Sequence, residues 1–352
     1  MISSNFWSKK KVFITGHNGF KGSWLTLYLK YLGADVKGYS LKPNSKLNLL
    51  KELNLSKDIS SEIGDIRNYK KLKKTIIDYN PDIIFHLAAQ PIVSKSYQDP
   101  KNTFSINTIG VVNLFEAVRS CKSVKALINV TSDKCYEIIA DKRGYKETDP
   151  MGGFDPYSCS KGCSELITSS YKRSFFSQGL GIASVRAGNV IGGGDWAVDR
   201  LLPDVFRSLK KKIPIIVRNP EYVRPWQHVL EPIDGYICLA EKLFKNPRTY
   251  SGSWNFGPEK KSHKTVREIL LIVKSHLPNL NIEFNSSKYD FHESRYLALN
   301  INKAKKILKW QPRWDIKNSI QNTVDWYKNY NNNMNMNKYS TNQIMNYINH
   351  KI

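Results

Sequence analysis

The 352-residue sequence is poor in cysteine and in acid, and it lacks any long apolar run. Its five cysteines, at positions 121, 135, 159, 163 and 238, form no CxxC pair, and its seven histidines make no cluster that would complete a zinc site. These absences exclude a disulfide framework and a metal centre, and the thiols are expected to be reduced packing residues. Cys159 and Cys163, one helical turn apart, are read the same way. No stretch approaches the roughly 18 apolar residues of a membrane span. Residues 1–10 have no apolar core of signal-peptide length, so the expected location is the cytoplasm and no membrane partner is expected.

Acidic residues number 30 against 54 basic ones, a formal net charge of +24. A surface of that sign attracts phosphate and raises nucleic acid as a partner. The basic residues are 41 Lys and 13 Arg spread along the whole chain rather than gathered in a patch. An anionic cofactor or substrate benefits from the same field, so the charge alone does not point to nucleic acid. With 41% hydrophobic residues the chain can bury a large core, and its length suits one two-lobed α/β unit.

Lys11-Val12-Phe13-Ile14 is a short apolar run that ends in Thr15-Gly16 and leads into an amphipathic stretch from Gly22 to Tyr31, which reads as strand, tight turn, helix. Glycines at 16, 19 and 22 let the backbone turn sharply, approach a pyrophosphate and pack helix on strand, while the helix N-terminus offers free N–H groups. Gly16, His17, Asn18, Gly19, Phe20 and Gly22 are therefore assigned to a dinucleotide. The second strand, from Asp35 to Leu41, lacks the terminal acidic residue that takes the adenosine ribose hydroxyls. Ser40 is assigned to the ribose instead, whereas Lys42 and Lys46 would accommodate a 2′-phosphate; NAD is favoured and NADP stays open. Asp65 and Ile66, after a third strand, are placed at the adenine, the alternative for Asp65 being a cap on the helix that begins near Asn68.

Pro81 to Gln90 reads as a buried parallel strand ending in small residues, and Leu87, Ala88 and Ala89 are assigned to the cofactor. His86 is read as structural. The next strand, Ala126 to Val130, delivers Thr131-Ser132-Asp133-Lys134-Cys135-Tyr136 at its carboxyl end, where doubly wound sheets place ligands. Downstream lies Tyr157-Ser158-Cys159-Ser160-Lys161. A hydroxyl at Ser132, a phenol at Tyr157 and an ammonium at Lys161 suit proton removal from a sugar hydroxyl while hydride leaves for a nicotinamide. Asp133 and Lys134 are more than such a dehydrogenase needs.

Through TGxxGFxG at 15–22, HLAAQ at 86–90 and YxxxK at 157–161, the chain resembles the extended short-chain dehydrogenase/reductase superfamily over nearly its whole length to about residue 330. Within it, TSDKCY at 131–136, GYKETDPMGGFDPYSCSKGCSE at 144–165, RAGNVIGGGDWAVDRLLPD at 186–204 and RPWQHVLEP at 224–232 look like the CDP-glucose 4,6-dehydratases. Lys134 departs from the Asp-Glu pair of related dTDP-glucose enzymes and agrees with the CDP-glucose group. The resemblance implies a doubly wound parallel-sheet Rossmann domain of the α/β class with a smaller mixed α/β substrate-binding lobe, bound NAD, CDP-glucose as substrate, and a homodimer formed through helices that include the one carrying Tyr157.

For such a reaction Tyr157 takes the C4 hydroxyl proton, Lys161 lowers its pKa and holds the ribose, and Ser132 orients the hydroxyl. Asp133 is the candidate acid for the departing C6 hydroxyl, provided its surroundings keep it protonated. Lys134 is the C5 base if burial or a neighbouring cation lowers its pKa, and otherwise holds the cofactor or stabilises the enolate. Gln90, Asn189, Arg200, Arg224, Trp226 and His292 are assigned to the nucleotide-sugar. Trp226 suits a core position equally well. Gly192-Gly193-Gly194 reads as a flexible turn shaping that pocket. The competing readings are a nucleotide-sugar 4-epimerase, which would not need Asp133 and Lys134, and an inactive RNA-binding protein, against which Ser132, Tyr157 and Lys161 argue.

The expected organisation is a cofactor domain over 1–187 plus about 226–253, a substrate lobe over about 188–225 and 254–330, and a polar low-complexity tail over 331–352 lying outside the core, with a short helix within 341–352 as an option.

Overall fold

Seven short runs become the strands of one sheet in the computed structural model, which describes residues 2–43, 47–138, 143–176, 179–285 and 295–350. They are β1 (Lys11–Thr15), β2 (Asp35–Ser40), β3 (Ser60–Ile63), β4 (Ile83–His86), β5 (Ala126–Val130), β6 (Gly181–Arg186) and β7 (Gly252–Asn255). Their order is β7-β6-β5-β4-β1-β2-β3, with every pairing parallel. Val12 of β1 sits opposite Val36 on one side and Ile83 on the other. The chain direction across the sheet therefore reverses at β1, which opens a crevice beyond its carboxyl end.

Strands β4, β5 and β6 are buried along their whole length, because helices cover both faces. On one face α1 (Phe20–Tyr31) contributes Trp24, Leu25 and Tyr28, and a helix later in the chain, Leu230–Lys245, contributes Ile233, Tyr236 and Ile237; all pack with Ile14, Phe85 and Ile128. On the other, α2 (Tyr69–Tyr79) and α3 (Gly110–Arg119) bring Leu72, Ile76, Leu114 and Phe115 onto Phe13, Ile84 and Leu127. Ile167 and Tyr171 of α4 (Pro156–Phe175) pack against the same cluster.

The smaller lobe has its own core of Leu202, Val205, Trp226, Ile269, Val273, Ile320 and Val324. These come chiefly from α5 (Leu201–Lys211), α7 (Val266–His276) and α8 (Ile316–Asn331), with α6 the Leu230–Lys245 helix already described. Two strand pairs complete it: Val223–Pro225 antiparallel to His263–Thr265, and Ile215–Val217 parallel to Ile282–Phe284.

The C-terminal segment departs from the sequence expectation. Residues 336–349 form a helix, α9 (Met336–Asn349), opened by Asn335, whose side chain accepts from the Lys338 N–H. Its buried residues Met336, Ser340, Gln343, Ile344 and Tyr347 fall at helical spacing on one face, and Met336, Ile344 and Tyr347 join the main core. The many asparagines occupy the remaining positions and mask that stripe in any composition-based reading. The Tyr347 hydroxyl donates to Glu231 Oε2 at 2.7 Å, and Glu231 also accepts from the backbone N–H groups of Trp314 at 2.7 Å and Arg313 at 3.1 Å.

Burial pushes the Glu231 carboxyl up from 4.5 to about 8, against the opposing hydrogen bonds from Trp314 and Tyr347. The folded chain thus holds a proton that the unfolded chain has already released, and stability falls as pH rises from the ordinary glutamate range through about 8. Glu231→Gln, which cannot ionise, should show a flatter melting temperature across that window. Thermal unfolding of both proteins checks this; parallel curves would remove Glu231 as the cause.

Candidate active site

At the carboxyl end of β1 the chain turns through Gly16 at φ +74°, a left-handed backbone that favours glycine. A Cβ on Gly16 would lie 2.7 Å from the Ala88 nitrogen, and one on Gly22 would lie 2.1 Å from the Gly16 carbonyl oxygen. The turn therefore presses against the end of β4, and α1 begins immediately after Gly19. The resulting cavity of about 310 Å³ is lined by every residue assigned to the cofactor from sequence except His17. A glycine cradle at a helix N-terminus, bounded by Ser40 and Asp65 at one end and Tyr157 and Lys161 at the other, fits a dinucleotide.

His17 is turned away. Its ring is buried over Gly38, with Nδ1 3.2 Å from Ser40 Oγ and Nε2 2.8 Å from Ser61 Oγ. Burial lowers its pKa to about 4, so it is a neutral brace between the phosphate turn and strands β2 and β3. Asp65 lines the cavity and pairs with Arg67 at 2.6 Å; the cap of α2 is Asn68. Lys42 is exposed, and Lys46 lies outside the described residues.

Ser132 caps a single helical turn, Asp133–Cys135, accepting from the Lys134 N–H at 3.2 Å. Its hydroxyl donates to Asp133 Oδ1 at 3.2 Å. The helix α4 starts beside it, with Asp155 as cap and Pro156 in the first turn, and the four-residue spacing sets Tyr157 and Lys161 on one face. Lys161 Nζ donates to the Val130 carbonyl at 3.2 Å, tying the helix to the end of β5. Burial raises the Tyr157 phenol to about 12, opposed first by its hydrogen bond with Ser132; burial lowers the Lys161 ammonium to about 8.

The turn is locked from below. Glu165, one helical turn past Lys161, forms a buried ion pair with Arg186 at 2.7 Å. Thr131 and Ser184 donate to the same carboxylate, and Arg186 also donates to the Tyr136 hydroxyl at 2.6 Å. Both ends of the segment Thr131 to Tyr136 are thereby attached to one charge pair. Burial works to raise the Glu165 pKa, but Arg186 outweighs it and holds the carboxyl below its ordinary value.

A second cavity of about 770 Å³ is lined by Asp133, Lys134, Asn189, Arg200, Arg224 and Trp226 among others. The Trp226 ring belongs to the lobe core and its Nε1 donates to the Lys264 carbonyl at 3.1 Å, and the residue also borders the cavity. Gln90 borders neither cavity. Its amide is engaged by Ile92 and by Thr103 of the helix Pro100–Phe104. His292 lies outside the described residues. The triple glycine is tightly packed rather than loose, since a Cβ on Gly193 would lie 1.9 Å from the Trp326 ring and Trp24 donates to the Gly193 carbonyl.

The two cavities meet at Lys21, Pro91, Ser132, Tyr157, Ala187 and Arg200, which border both. Lys21 was not among the residues singled out from sequence. A cation in the first turn of a helix opposes the helix dipole, and that local misfit was the available signal. Burial lowers its pKa to about 8, with Arg200 acting in the same direction and Asp133 opposing. Gly188 was missed as well. A Cβ there would lie 1.6 Å from Asp133 Oδ2, an oxygen that is buried with no hydrogen-bond partner among the described residues.

Gly188→Ala should therefore displace the Asp133 carboxyl and lower kcat by about 100-fold, the cost of a misplacement near 1 Å, with substrate KM little changed; steady-state kinetics measure both. Arg186→Met leaves Glu165 buried without its partner and should cost about 3–5 kcal/mol in denaturant unfolding.

The family model described as GDP-mannose 4,6 dehydratase matches residues 13–323. The CDP-glucose 4,6-dehydratase of Salmonella typhimurium (strain LT2) is 46% identical over 334 residues, covering 93% of each chain. The CDP-paratose 2-epimerase of Salmonella typhi is 26% identical over 90% of this chain and 98% of its own. Among solved structures, dTDP-glucose 4,6-dehydratase from Bacillus anthracis str. Ames in complex with NAD superposes with a TM-score of 0.76 at 22% identity, over 92% of this chain and 98% of that one. UDP-glucose 4-epimerase from Thermotoga maritima, with UDP-glucose, gives 0.78 at 20% identity over 91% and 99%. These likenesses bear out the fold, and together with the site geometry and the family match they establish that this chain belongs to the nucleotide-sugar 4,6-dehydratase family of the extended short-chain dehydrogenases/reductases.

Proposed function

We propose that this chain converts CDP-glucose to CDP-4-dehydro-6-deoxyglucose and water. The observation that carries the reading is the turn after β5, where Asp133 and Lys134 follow Ser132 directly and all three border the cavity that Tyr157 also enters. An epimerase needs the hydroxyl, phenol and ammonium; an acid and a further amine beside them serve an elimination. The 46% identity to a CDP-glucose 4,6-dehydratase supports the cytidine nucleotide.

Bound in the smaller cavity, NAD would supply the acceptor for the C4 hydride and return it at C6. The protein's own groups move the protons. Tyr157, as phenolate, takes the C4 hydroxyl proton, and the buried Lys161 charge favours that ionised form. The resulting C4 ketone acidifies the C5 hydrogen. Asp133 then protonates the C6 hydroxyl as it leaves as water, while a base removes the C5 proton. Lys134 borders the sugar cavity but not the cofactor cavity, and its ammonium has no hydrogen-bond or ion-pair partner among the described residues. That placement supports a role at C5 over one in holding the cofactor. Asn189, Arg200, Arg224 and Trp226 would hold the nucleotide-sugar from the smaller lobe.

The family resemblance supports a homodimer formed through helices that include α4. No helix among the described residues is long and apolar enough to cross a membrane. A cytoplasmic setting is the reading we adopt, with nucleic acid no part of it.

Incubation with CDP-glucose should give a 4-keto-6-deoxy product, detected by its alkali-induced absorbance; a C4 epimer as the only product would refute the proposal. Tyr157→Phe should abolish hydride transfer. Lys134→Ala should still oxidise C4 and accumulate reduced cofactor with a 4-keto-glucose nucleotide, whereas loss of bound cofactor would move Lys134 to a binding role.

A further inference from the structure

Among the described residues, one oxygen of the Asp133 carboxyl is held by a hydrogen bond and the other is not. Oδ1 accepts from the Ser132 hydroxyl at 3.2 Å, whereas Oδ2 is buried without a partner. The backbone of Gly188 is what keeps the group from turning, since the three atoms nearest to a Cβ built there all belong to the Asp133 carboxyl. That wall is an irregular stretch, the connection between β6 and the short strand Val190–Ile191, in which Asn189 adopts φ +43°. Buried backbone of this kind keeps its course only while its polar groups are paired.

We propose that Gln227 is a positioning residue for Asp133: its side-chain amide clamps the Gly188 backbone and so fixes the carboxyl for the elimination half of the reaction. This rests on the dehydratase reading above. Gln227 Nε2 donates to the Gly188 carbonyl at 3.2 Å and to the Phe256 carbonyl at 3.1 Å, and both bonds are buried. Facing two carbonyls, that end of the amide is the nitrogen, and both of its hydrogens are used. Phe256 directly follows β7, and its N–H donates to the Arg186 carbonyl at 2.8 Å, so the amide ties the Gly188 stretch to the edge of the main sheet. The Gln227 N–H adds a bond to the Asn189 carbonyl at 3.3 Å.

Gln227 is 1% exposed and borders neither cavity, which places it outside the sugar and cofactor sites. Tyr157 and Lys161 stand on α4, which is attached through Glu165 and Arg186, and the hydrogen bonds of that ion pair go to Thr131, Ser184, Tyr136 and Glu147 rather than to Gln227. Loss of the amide therefore leaves the groups of C4 oxidation in place. It deprives two buried carbonyls of their donor, and the Gly188 stretch shifts to find another.

The test is pre-steady-state kinetics with CDP-glucose on the holoenzyme, following reduced cofactor by its absorbance and the 4-keto-6-deoxy product by quenching, for wild type, Gln227→Leu and Asp133→Asn. Gln227→Leu, close in size but without donors, should form reduced cofactor within about threefold of the wild-type rate and form product about 100-fold more slowly, the cost of a misplacement near 1 Å. Reduced cofactor and a 4-keto-glucose nucleotide should accumulate, with CDP-glucose affinity little changed. Adding Gln227→Leu to Asp133→Asn should slow product formation no further, because the two residues act as one unit. If the leucine variant does not fold, Gln227→Glu, which offers at most one hydrogen to the two carbonyls, carries the same comparison with a smaller imbalance. Equal loss of both partial reactions, unchanged kinetics, or additive losses in the double variant would each overturn the clamp. Undiminished elimination in Asp133→Asn would overturn it through its premise, and absence of a 4-keto-6-deoxy product from wild type is a different result, one that would overturn the dehydratase reading itself.

Discussion

A carboxylate and a guanidinium withdrawn from water are stable only when each is matched by hydrogen bonds, and the Glu165–Arg186 pair meets that demand by recruiting its neighbours. Thr131 and Ser184 satisfy Glu165; the Tyr136 hydroxyl and the Glu147 carbonyl satisfy Arg186. Thr131 and Tyr136 bracket the turn that presents Ser132, Asp133 and Lys134, and Glu165 sits on the helix that presents Tyr157 and Lys161. One desolvated charge pair therefore sets the distance between the two halves of the catalytic group. Tyr136 extends the attachment, its hydroxyl donating a hydrogen bond to Asn255 Oδ1 at the end of β7 at 2.7 Å.

The same economy of space governs Asp133. Its carboxyl occupies the volume that a side chain at position 188 would take, so the chain after β6 can pass this close only as glycine. Three lysines, at 21, 134 and 161, border the two cavities, and two of them, Lys21 and Lys161, are held near a pKa of about 8 by burial. Crowding cations at low dielectric is unfavourable in the free protein, and it becomes favourable when an anionic nucleotide and its diphosphate enter. The stability given up there is a property of an anion-binding site.

Much of this was legible in the chain itself. The apolar runs of β1, β4 and β5 and the GxxGxxG turn are local signals, and each residue they nominated for the cofactor borders the cavity except His17. That exception is informative: a histidine inside a phosphate-binding turn looks like a ligand until the sheet shows Ser40 and Ser61 waiting on its other side. Gln90 borders neither cavity for a similar reason, its amide being engaged by Ile92 and Thr103. The C-terminal helix was hidden by composition, because asparagine-rich sequence reads as solvent-exposed while its Met336, Ile344 and Tyr347 stripe fits a groove that only the folded core provides.

The sequence by itself determined the chemistry on offer: a hydroxyl, an acid and an amine in consecutive positions, with a phenol and an ammonium four residues apart on a helix. Spacing along a helix or a turn is a local property, and local geometry follows from residue type and order. Tertiary structure alone decided which way those groups face and what they touch. The hydrogen bond from Ser132 to Asp133 depends on a capped turn held by Glu165 and Arg186, which come from elsewhere in the chain. The room for Asp133 depends on Gly188, and the meeting of two cavities at Lys21, Ser132, Tyr157 and Arg200 depends on packing between lobes. Contacts of long sequence separation carry no local signature, so these had to be seen in the fold.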